Sequence, residues 1–451
     1  MSATAPRAPA PAGVPLVGHA LAFRRDPIGF LQGAAHECGP VARLQAGPVI
    51  YHLVSEPALI AEVLQTRPAN YVRDTRSSRS MKLVTGESLL STSGEAWRRH
   101  RRLAQPIFHQ RRLAALTDTT LAVCLETAAR WEELSASGGT VDLVAEMSRL
   151  TFSIVGRCLF SADLGGRTAA VESAYSVLLD ELFRRARAIA TLPLWVPTPR
   201  HRRFHHALAS IDAIVAELIQ HRRAAATEQD DLVGSLLRAR DEDGSALDDT
   251  EIRNHAITFL LAGHETTAST LTWAFCLLDQ HPGELAIVQQ ELARELGPRL
   301  PHLDTLPQLG ALDRALQETL RLFPAIWIAE RRVVATDVLG GFALPKNSSV
   351  LLSARITQRL ASYWPEPDGF RPARFSGDTP PGLARGFFPF GAGPHHCIGQ
   401  HFALLEARVA LAVLLQRFRV RLAEGFPSAL AGITLRPAAA VPVRIERRSG
   451  N

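Results

Sequence analysis

One cysteine in this sequence has the setting of a reactive or metal-binding thiol. Cys397 lies in the stretch FPFGAGPHHCIGQHFALLEA, residues 388–407, directly after two histidines and among glycines. Gly391 and Gly393 permit close backbone approach, and a helical pattern begins at Ile398. The sequence therefore predicts Cys397 at a helix N-terminus, where free N–H groups and the helix dipole favour the thiolate. Such a thiolate is either a nucleophile or a metal ligand.

Three uses of this cysteine are open. Most lone cysteines are inert, but these usually lie in regular apolar stretches, as Cys158 and Cys276 do here. The residues available for a zinc site are His395, His396, Cys397 and His401. Adjacent residues of one loop cannot easily surround a zinc ion tetrahedrally. An axial thiolate to haem iron needs one protein ligand and small neighbours for the flat porphyrin, so it explains the glycines as well as the cysteine.

A second polar cluster interrupts an apolar helix. Residues 251–280 contain no proline and are apolar nearly all round, which predicts ~45 Å of buried helix. Its middle reads HETT at 264–267, where the threonines can bond back to carbonyls one turn earlier. Glu265 remains unexplained, because a buried carboxylate needs a partner or a function. The zinc-protease motif H-E-x-x-H is excluded because Ala268 stands at its second histidine.

Both clusters match motifs of one family. Residues 390–399 resemble the haem-thiolate signature of the cytochromes P-450, F-x-x-G-x-[R/H]-x-C-x-G, and Ala403 and Glu406 continue its A-x-x-E extension. Residues 262–266, AGHET, are similar to the family's oxygen-activation stretch of a small residue, glycine, any residue, an acid and threonine. The resemblance runs from about residue 13 to the C-terminus.

A further motif concerns the scaffold. Glu318 and Arg321 in QETLR resemble the family's E-x-x-R pair, whose side chains share one helix face. Arg374 is the expected third member of this structural network. The family's PERF sequence reads PARF at 372–375, so the glutamate is replaced while the arginine is present.

The resemblance also implies how haem b is held. Trp97 and Arg101 match the W-x-x-x-R helix whose side chains contact a propionate, and Arg332 and His395 look like the other propionate partners. Histidine at the latter position, where many relatives have arginine, should give a weaker and pH-sensitive contact. The implied cofactor-binding residues are Trp97, Arg101, Ala262, Gly263, Arg332, Phe390, Gly393, His395, Cys397 and Gly399. Cys397 is the implied axial iron ligand.

The activity that the resemblance implies is monooxygenation, in which one atom of dioxygen enters a substrate and the other leaves as water. Thiolate ligation by Cys397 would favour O–O cleavage. Thr266 would donate a hydrogen bond at the oxygen site, and Glu265 would relay protons through water. Ala262 and Gly263 would leave space above the iron in a locally widened helix. The Glu265–Thr266 pair favours turnover with a redox partner over direct use of hydrogen peroxide, and over a haem-thiolate sensor without turnover.

The substrate and the electron source follow by analogy with the family. The implied pocket residues are Phe259, Leu260, Ile326, Trp327, Ile328 and Ile433. They offer no charged group, so we expect a lipophilic substrate such as a terpenoid, steroid or macrolide-like compound. The stretch PAIWIAERRVV also resembles bacterial terpene-oxidising members. Because no flavin or iron–sulfur domain is recognised, electrons should pass from NAD(P)H through a reductase and a ferredoxin or flavodoxin that docks near residues 97–102.

The rest of the sequence predicts the scaffold. A chain of 451 residues, 46% hydrophobic and 21% charged, can bury a large core. Helical periodicity dominates, which predicts a mainly α protein with a small β-rich subregion, here the cytochrome P-450 fold. The predicted helices cover 57–65, 113–134, 203–223, 251–280, 283–296 and 402–418, and the predicted strands 41–46, 49–54, 331–336 and 349–353. Residues 1–13 are expected to be a flexible Pro/Ala-rich tail and 14–451 a single haem domain.

Charge and cysteine usage exclude other classes. The net charge is +6, and the basic runs at 98–102, 184–187 and 200–206 lack any nucleic-acid motif, so solvated helix faces or a protein-docking face are favoured. Five cysteines without a C-x-x-C pair indicate a reducing compartment. The N-terminus has no apolar run for a signal peptide or an anchor. The expectation is a cytoplasmic monomer.

Overall fold

The computed structural model describes residues 5–108, 113–187, 191–224, 231–377 and 382–448. The α-helices in these ranges are α1 (Ala20–Arg25), α2 (Pro27–Cys38), α3 (Pro57–Ala61), α4 (Arg76–Thr85), α5 (Gly94–Ala104), α6 (Leu113–Ser137), α7 (Leu143–Phe160), α8 (Thr168–Arg187), α9 (Pro199–Ala224), α10 (Leu232–Arg238), α11 (Asp249–Gln280), α12 (Pro282–Glu295), α13 (Gly310–Leu322), α14 (Ala354–Thr357) and α15 (Gln400–Arg417). The strands are β1 (Val41–Ala46), β2 (Val49–Val54), β3 (Tyr71–Val72), β4 (Thr140–Asp142), β5 (Ala329–Val333), β6 (Asp337–Leu339), β7 (Phe342–Leu344), β8 (Ser349–Leu352), β9 (Phe418–Leu422), β10 (Ala429–Ala431), β11 (Leu435–Pro437) and β12 (Pro442–Arg447).

The central element is α11. The Asp248 carboxylate accepts a hydrogen bond from the backbone N–H of Glu251, and the Glu251 carboxylate accepts one from the N–H of Asp248, so a capping box fixes the start of the helix. Most side chains between Ile252 and Leu278 are buried, as the apolar pattern predicts. The helix packs against α7, α13 and α15 and so crosses the helical core.

The sheets are small and lie beside the helices. One has the strand order β1-β2-β8-β5-β3, in which only β2 and β8 pair in parallel. A second has the order β4-β12-β9, and β6-β7 and β10-β11 form two-stranded sheets. The prediction of a mainly α fold with a small β-rich part is confirmed. Among the described helices, none combines the length and apolarity needed to cross a bilayer.

The predicted elements are present with their ends shifted by up to four residues, and two of the differences have a structural cause. The helix predicted at 57–65 divides into α3 and a π-helical turn at Glu62–Thr66. The strand predicted at 331–336 is β5, which ends at Val333 because its ladder with β8 covers only Ala329 to Arg332 and its ladder with β3 ends at Val333. The predicted strands at 41–46 and 49–54 have the observed bounds.

The N-terminal segment is irregular but attached. The carbonyl of Pro9 accepts a 2.7 Å hydrogen bond from the N–H of Arg43, and that of Pro6 a 2.9 Å bond from the N–H of Ala343. Ala8 is buried against the five-stranded sheet and its neighbours. Proline lacks an N–H but keeps its carbonyl as an acceptor, so a Pro/Ala-rich segment can still be held. Residues 5–13 therefore contact the folded domain at Pro6, Ala8 and Pro9, and residues 1–4 lie outside the described ranges.

Candidate active site

A cavity of about 930 Å³ is lined on one side by α11 and on another by the loop that carries Cys397. The lining residues of α11 include Thr258, Phe259, Leu261, Ala262, Gly263 and Thr266. Those of the loop and of the start of α15 include Phe390, His395, Cys397, Gly399, Ala403 and Ala407. The two sequence clusters that could carry chemistry therefore meet across one cavity.

The Cys397 loop is closed by its own backbone and packed from behind. The N–H of Cys397 donates a 3.0 Å hydrogen bond to the carbonyl of Phe390. Gly393 has a φ of +69°, and a Cβ built there would lie 1.8 Å from the Leu64 carbonyl oxygen. Glycine is thus required for the loop to approach the Glu62–Thr66 turn. Gly393 packs against Leu64 and is not itself among the residues that line the cavity, although the sequence predicted it as a cofactor contact.

The Cys397 side chain is exposed to the cavity. Burial among protein atoms raises the pKa of its thiol, while the backbone N–H of Gly399 and the cations Arg101 and Arg73 act in the opposite direction. Helix α15 begins only at Gln400, so the helix terminus favours the thiolate less than the sequence predicted. Bonding to a metal cation is what would ionise such a thiol.

The neighbouring histidines are not arranged as zinc ligands. Among the described residues, no three His, Cys, Asp or Glu side chains are grouped to hold a metal ion. The ring of His395 instead lies against Trp97, with 4.0 Å between the ring centroids. This geometry leaves Cys397 as a single protein ligand, as an axial haem thiolate requires.

Three arginines line the cavity near His395. The guanidinium of Arg73 donates to the His395 carbonyl at 3.2 Å, and that of Arg101 to the His396 carbonyl at 2.9 Å. Burial and mutual repulsion lower the pKa of Arg73 to about 9, and burial lowers that of Arg331 to about 10. None of the three forms an ion pair with a carboxylate of the described residues.

Unpaired buried cations are unfavourable, so an arginine cluster of this kind fits a ligand that carries carboxylates. The two propionates of a haem would supply such groups, and Cys397, opposite α11, would supply the thiolate for its iron. The residues that are present therefore fit a haem. Arg73 was missed by sequence reasoning, since nothing local marks the arginine in NYVRD as facing a site.

Arg332, the predicted propionate partner, does not reach this cluster. Side chains of a strand alternate between its faces, and in β5 the buried positions are Arg331 and Val333. Arg332 instead donates to the carbonyl of Asp74 at 3.0 Å and lies 3.1 Å from its carboxylate. Arg331, rather than the predicted Arg332, is therefore the arginine of β5 that lines the cavity. The sequence did offer one indication of the buried arginine, because the apolar residue Val333 marks the buried face of the strand and Arg331 shares that face.

His395 also differs from its expected role. Burial, with Arg73, Arg331 and Arg101 nearby, lowers the pKa of His395 to about 2. The ring packs on Trp97 and can donate or accept one hydrogen bond, and the three neighbouring cations oppose a charge on it.

The segment of α11 that faces the cavity stays α-helical. The Thr266 hydroxyl donates to the Ala262 carbonyl at 2.9 Å, the back-bonding that the sequence allowed. A Cβ on Gly263 would lie 3.1 Å from a methyl carbon of Val155 in α7, so this glycine also permits close packing of two helices. The local widening expected at Ala262 and Gly263 is absent, since α11 is continuous from Asp249 to Gln280.

Glu265 is not among the residues that line the cavity. Its Oε1 accepts a 2.9 Å hydrogen bond from the Thr434 hydroxyl and lies 3.7 Å from Nε of Arg436. Its Oε2 is buried and has no hydrogen-bond partner among the described residues. Burial raises the pKa of Glu265, while Thr434, Tyr175 and Arg436 oppose that rise. Thr434 does line the cavity, and no sequence motif pointed to it.

The implied substrate pocket is present except for one residue. Those that line the cavity are Phe259, Ile326, Trp327, Ile328 and Ile433. Leu260 is buried elsewhere, because successive residues of a helix point about 100° apart and Phe259 already faces the cavity. Leu261 lines the cavity in its place.

The E-x-x-R residues form a buried network. The Glu318 carboxylate accepts bonds from Arg321 at 2.7 and 2.8 Å and from Arg374 at 3.0 Å, and the Glu318 and Arg321 side chains are 0% exposed. Arg321 donates to the Gln358 carbonyl at 2.9 Å, and the Gln358 side chain accepts a 3.0 Å bond from the N–H of Phe388. The network thus reaches the start of the Cys397 loop, and Ala373 in place of the family's glutamate leaves it connected.

Fold and site together define a haem-thiolate protein: a mainly helical core, one cysteine facing a long helix across a cavity, and an unpaired arginine cluster beside it. The family model described as Cytochrome P450 matches residues 8–437. The chain belongs to the cytochrome P450 family and is a haem-containing monooxygenase.

The chain is similar to bacterial oxygenases over almost the whole length of both sequences. Cyclooctatin synthase from Streptomyces melanosporofaciens is 34% identical over 91% of this chain and 89% of its own. Cyclooctat-9-en-7-ol 5-monooxygenase from the same organism is 35% identical over 91% and 89%. Pentalenene oxygenase from Streptomyces avermitilis is 35% identical over 94% of each chain.

Proposed function

We propose that this cytochrome P450 oxygenates a terpenoid, with electrons supplied by a separate ferredoxin or flavodoxin. The observation that carries the proposal is the apolar wall beside Thr266, formed by Phe259, Leu261, Ile328 and Ile433. A wall of this kind binds hydrocarbon skeletons through burial of apolar surface. The relatives named for pentalenene and cyclooctat-9-en-7-ol are terpene-oxidising, which favours the same substrate class here.

The charged groups of the cavity argue against an ionic substrate. The arginine cluster faces the position that haem carboxylates would take. The Glu330 carboxylate, which also lines the cavity, already accepts hydrogen bonds from Ser77 at 2.7 Å and Ser349 at 2.8 Å. Each Glu330 oxygen thus already accepts a hydrogen bond from the protein, so a neutral lipophilic substrate suits the site better.

The roles that we propose for the chain's own residues follow the same geometry. Cys397 ligates the haem iron, and Arg73, Arg101 and Arg331 hold the haem carboxylates. When bound, the haem supplies the oxidising chemistry. Thr266 presents a hydroxyl to the oxygen side of the cavity, and Glu265 is the proton source behind it. The apolar wall excludes water and orients the substrate.

The proposed partner-docking face is the outer side of α5. The inner side of this helix carries Trp97 and Arg101, which line the cavity, so the helix links surface and site. Its outer arginines are partly neutralised, since Arg98 pairs with Glu95 and Arg102 with Asp241. We therefore expect electron transfer to weaken only moderately as salt screens these charges.

The test begins with spectral titration of the haem-loaded protein. Pentalenene should displace water and shift the haem absorption, whereas a steroid, a macrolide and a charged amine of similar size should shift it less. Turnover with a plant-type ferredoxin, its NADPH-dependent reductase and oxygen should then yield a hydroxylated terpenoid. A response confined to the amine, steroid or macrolide would refute the substrate class. Terpenoid binding without any product would favour the alternative, a haem-thiolate sensor.

A further inference from the structure

Glu265 communicates with the cavity through a residue far away in sequence. The Thr434 side chain lines the cavity and donates a 2.9 Å hydrogen bond to Oε1 of Glu265, whereas Glu265 itself is not part of the cavity wall. This contact is buried, and the two residues are separated by 169 positions. One hydroxyl thus lies between the acid and the space in which the reaction takes place.

The adjacent hydroxyl of Thr266 is less suited to this link. It donates to the Ala262 carbonyl of its own helix at 2.9 Å. Successive side chains of an α-helix diverge by about 100°, so Glu265 and Thr266 point in different directions. Thr266 lines the cavity while Glu265 faces the β10–β11 hairpin.

A second contact of Glu265 Oε1 leads towards solvent. Arg436 Nε lies 3.7 Å from Oε1, and the Arg436 side chain is 31% exposed. The other titratable groups that face the carboxyl are Tyr175 and Asp180, both on α8. Oε2 is buried without a partner among the described residues. Oε1 therefore contacts both a partly exposed cation and a hydroxyl of the cavity wall.

We propose that Thr434 is the positioning residue that couples Glu265 to the cavity, with Arg436 holding the carboxyl on the solvent side. In the transfer step, the Glu265 carboxylic acid carries its proton on Oε1, the oxygen that contacts Thr434, and the Thr434 hydroxyl turns towards the cavity. The Thr434 oxygen then accepts the Glu265 proton while its own hydroxyl proton passes to a water molecule in the cavity. Solvent beside Arg436 then reprotonates the carboxylate. The proposal rests on the proton-source role proposed for Glu265.

Because Thr434 lies in the β10–β11 hairpin, its contact with Glu265 is connected to substrate binding. Ile433, next to Thr434, lines the substrate pocket, and the carbonyl of Gly432 accepts a 2.9 Å bond from the Trp327 indole. The N–H of Leu435 donates to the Ala325 carbonyl at 2.8 Å. The segment is held on both sides of Thr434, so a substrate packed on Ile433 contacts the element that positions the hydroxyl.

The experiment compares Thr434→Val with Thr434→Ser in the haem-loaded enzyme. Thr434→Val keeps the shape and removes the hydroxyl, so product formed per NADPH should fall by about 10-fold, less than the ~10²–10⁴ of a direct acid because Thr266 remains. The solvent isotope effect on oxygen consumption should rise, and its pH profile should lose the ionisation of Glu265. Thr434→Ser should restore all three readouts. Pentalenene is the probe, and its binding spectrum should not change.

Thr272→Val is the matched control, since the Thr272 hydroxyl donates only within α11, to the Ala268 carbonyl at 2.8 Å. The carbon monoxide spectrum of each variant establishes that haem and fold are intact. Thr434→Val with wild-type coupling and pH profile would overturn the proposal, as would failure of Thr434→Ser to restore them. If the wild type binds no terpenoid, the substrate class fails, while the isotope effect and pH profile of oxygen consumption still decide the role of Thr434.

Discussion

The two faces of the cavity are built in different ways. On the thiolate side, residues 390–399 form a single loop closed by the Cys397–Phe390 hydrogen bond. On the opposite side, the surroundings of Glu265 come from α11, α8 and the β10–β11 hairpin, and the Thr434 contact spans 169 positions. The Cys397 loop is built from residues adjacent in sequence, whereas the surroundings of Glu265 come together only when the chain folds. Substitutions should therefore act on the loop locally and on the Glu265 side through distant partners.

The largest effect should come from the loop. Cys397→Ser replaces the thiol by an alcohol that remains un-ionised at neutral pH, so product formation and the thiolate-type carbon monoxide spectrum should both be lost. Absorbance of the reduced protein under carbon monoxide measures this directly. Cys158→Ala is the control, because burial raises the pKa of the Cys158 thiol to about 12 and Cys158 does not line the cavity. A thiolate spectrum retained by Cys397→Ser would place the ligand elsewhere.

The next largest effect tests whether the Cys397 loop depends on the buried network of Glu318 and Arg321. Glu318→Gln leaves the buried Arg321 guanidinium without its carboxylate and should destabilise the fold by about 3–5 kcal/mol. The matched control is Asp313→Asn, which breaks the more exposed pair with Arg408 and should cost about 0–1 kcal/mol. Denaturant unfolding of the haem-loaded variants measures both. Equal losses would mean that the buried network adds nothing beyond an ordinary ion pair.

A smaller effect, the rate of haem loss, distinguishes Arg331 from its neighbour Arg332. Arg331→Gln and Arg73→Gln should each speed haem loss by about 10- to 100-fold, because a charge-assisted hydrogen bond contributes about 1.5–3 kcal/mol. Arg332→Gln should leave the rate nearly unchanged, since Arg332 pairs with Asp74. Haem transfer to excess apomyoglobin gives the rates. Faster loss from Arg332→Gln than from Arg331→Gln would restore the sequence-based assignment.

The residues chosen for these substitutions also show how much of the fold and the site could be predicted from the sequence. The helix α11, the mainly α fold and the Cys397 loop were readable because periodicity and motif spacing are local. The errors at Arg332 and Leu260 concern which face a side chain takes, which strand alternation and helix rotation decide. Gly393 packs against Leu64, a contact with no trace in its own motif. The contact of Thr434 with Glu265 and the place of Arg73 beside Arg101 and Arg331 could not be found, because only folding brings these side chains together.

The smallest effect concerns His264, next to Glu265 on α11. Burial against Phe152 and Tyr175 lowers the pKa of His264 from 6.5 to about 4. The unfolded chain thus binds a proton more readily than the folded protein between these values, so stability is fully present above pH 6.5 and falls as the pH drops towards 4.

His264→Gln cannot take up that proton and keeps an amide for the backbone contact at Ser148. Between pH 7 and 5.5 the variant should lose about 1 kcal/mol less stability than the wild type. Denaturant unfolding of the haem-loaded proteins at several pH values measures the difference. His52 and His255, also buried with pKa values lowered to about 4 and about 3, keep part of the acid sensitivity in both proteins. Parallel stability curves would mean that His264 remains unprotonated in the unfolded chain as well, or that the folded helix accepts its charge. Either result would mean that burying His264 in α11 has no cost in acid stability.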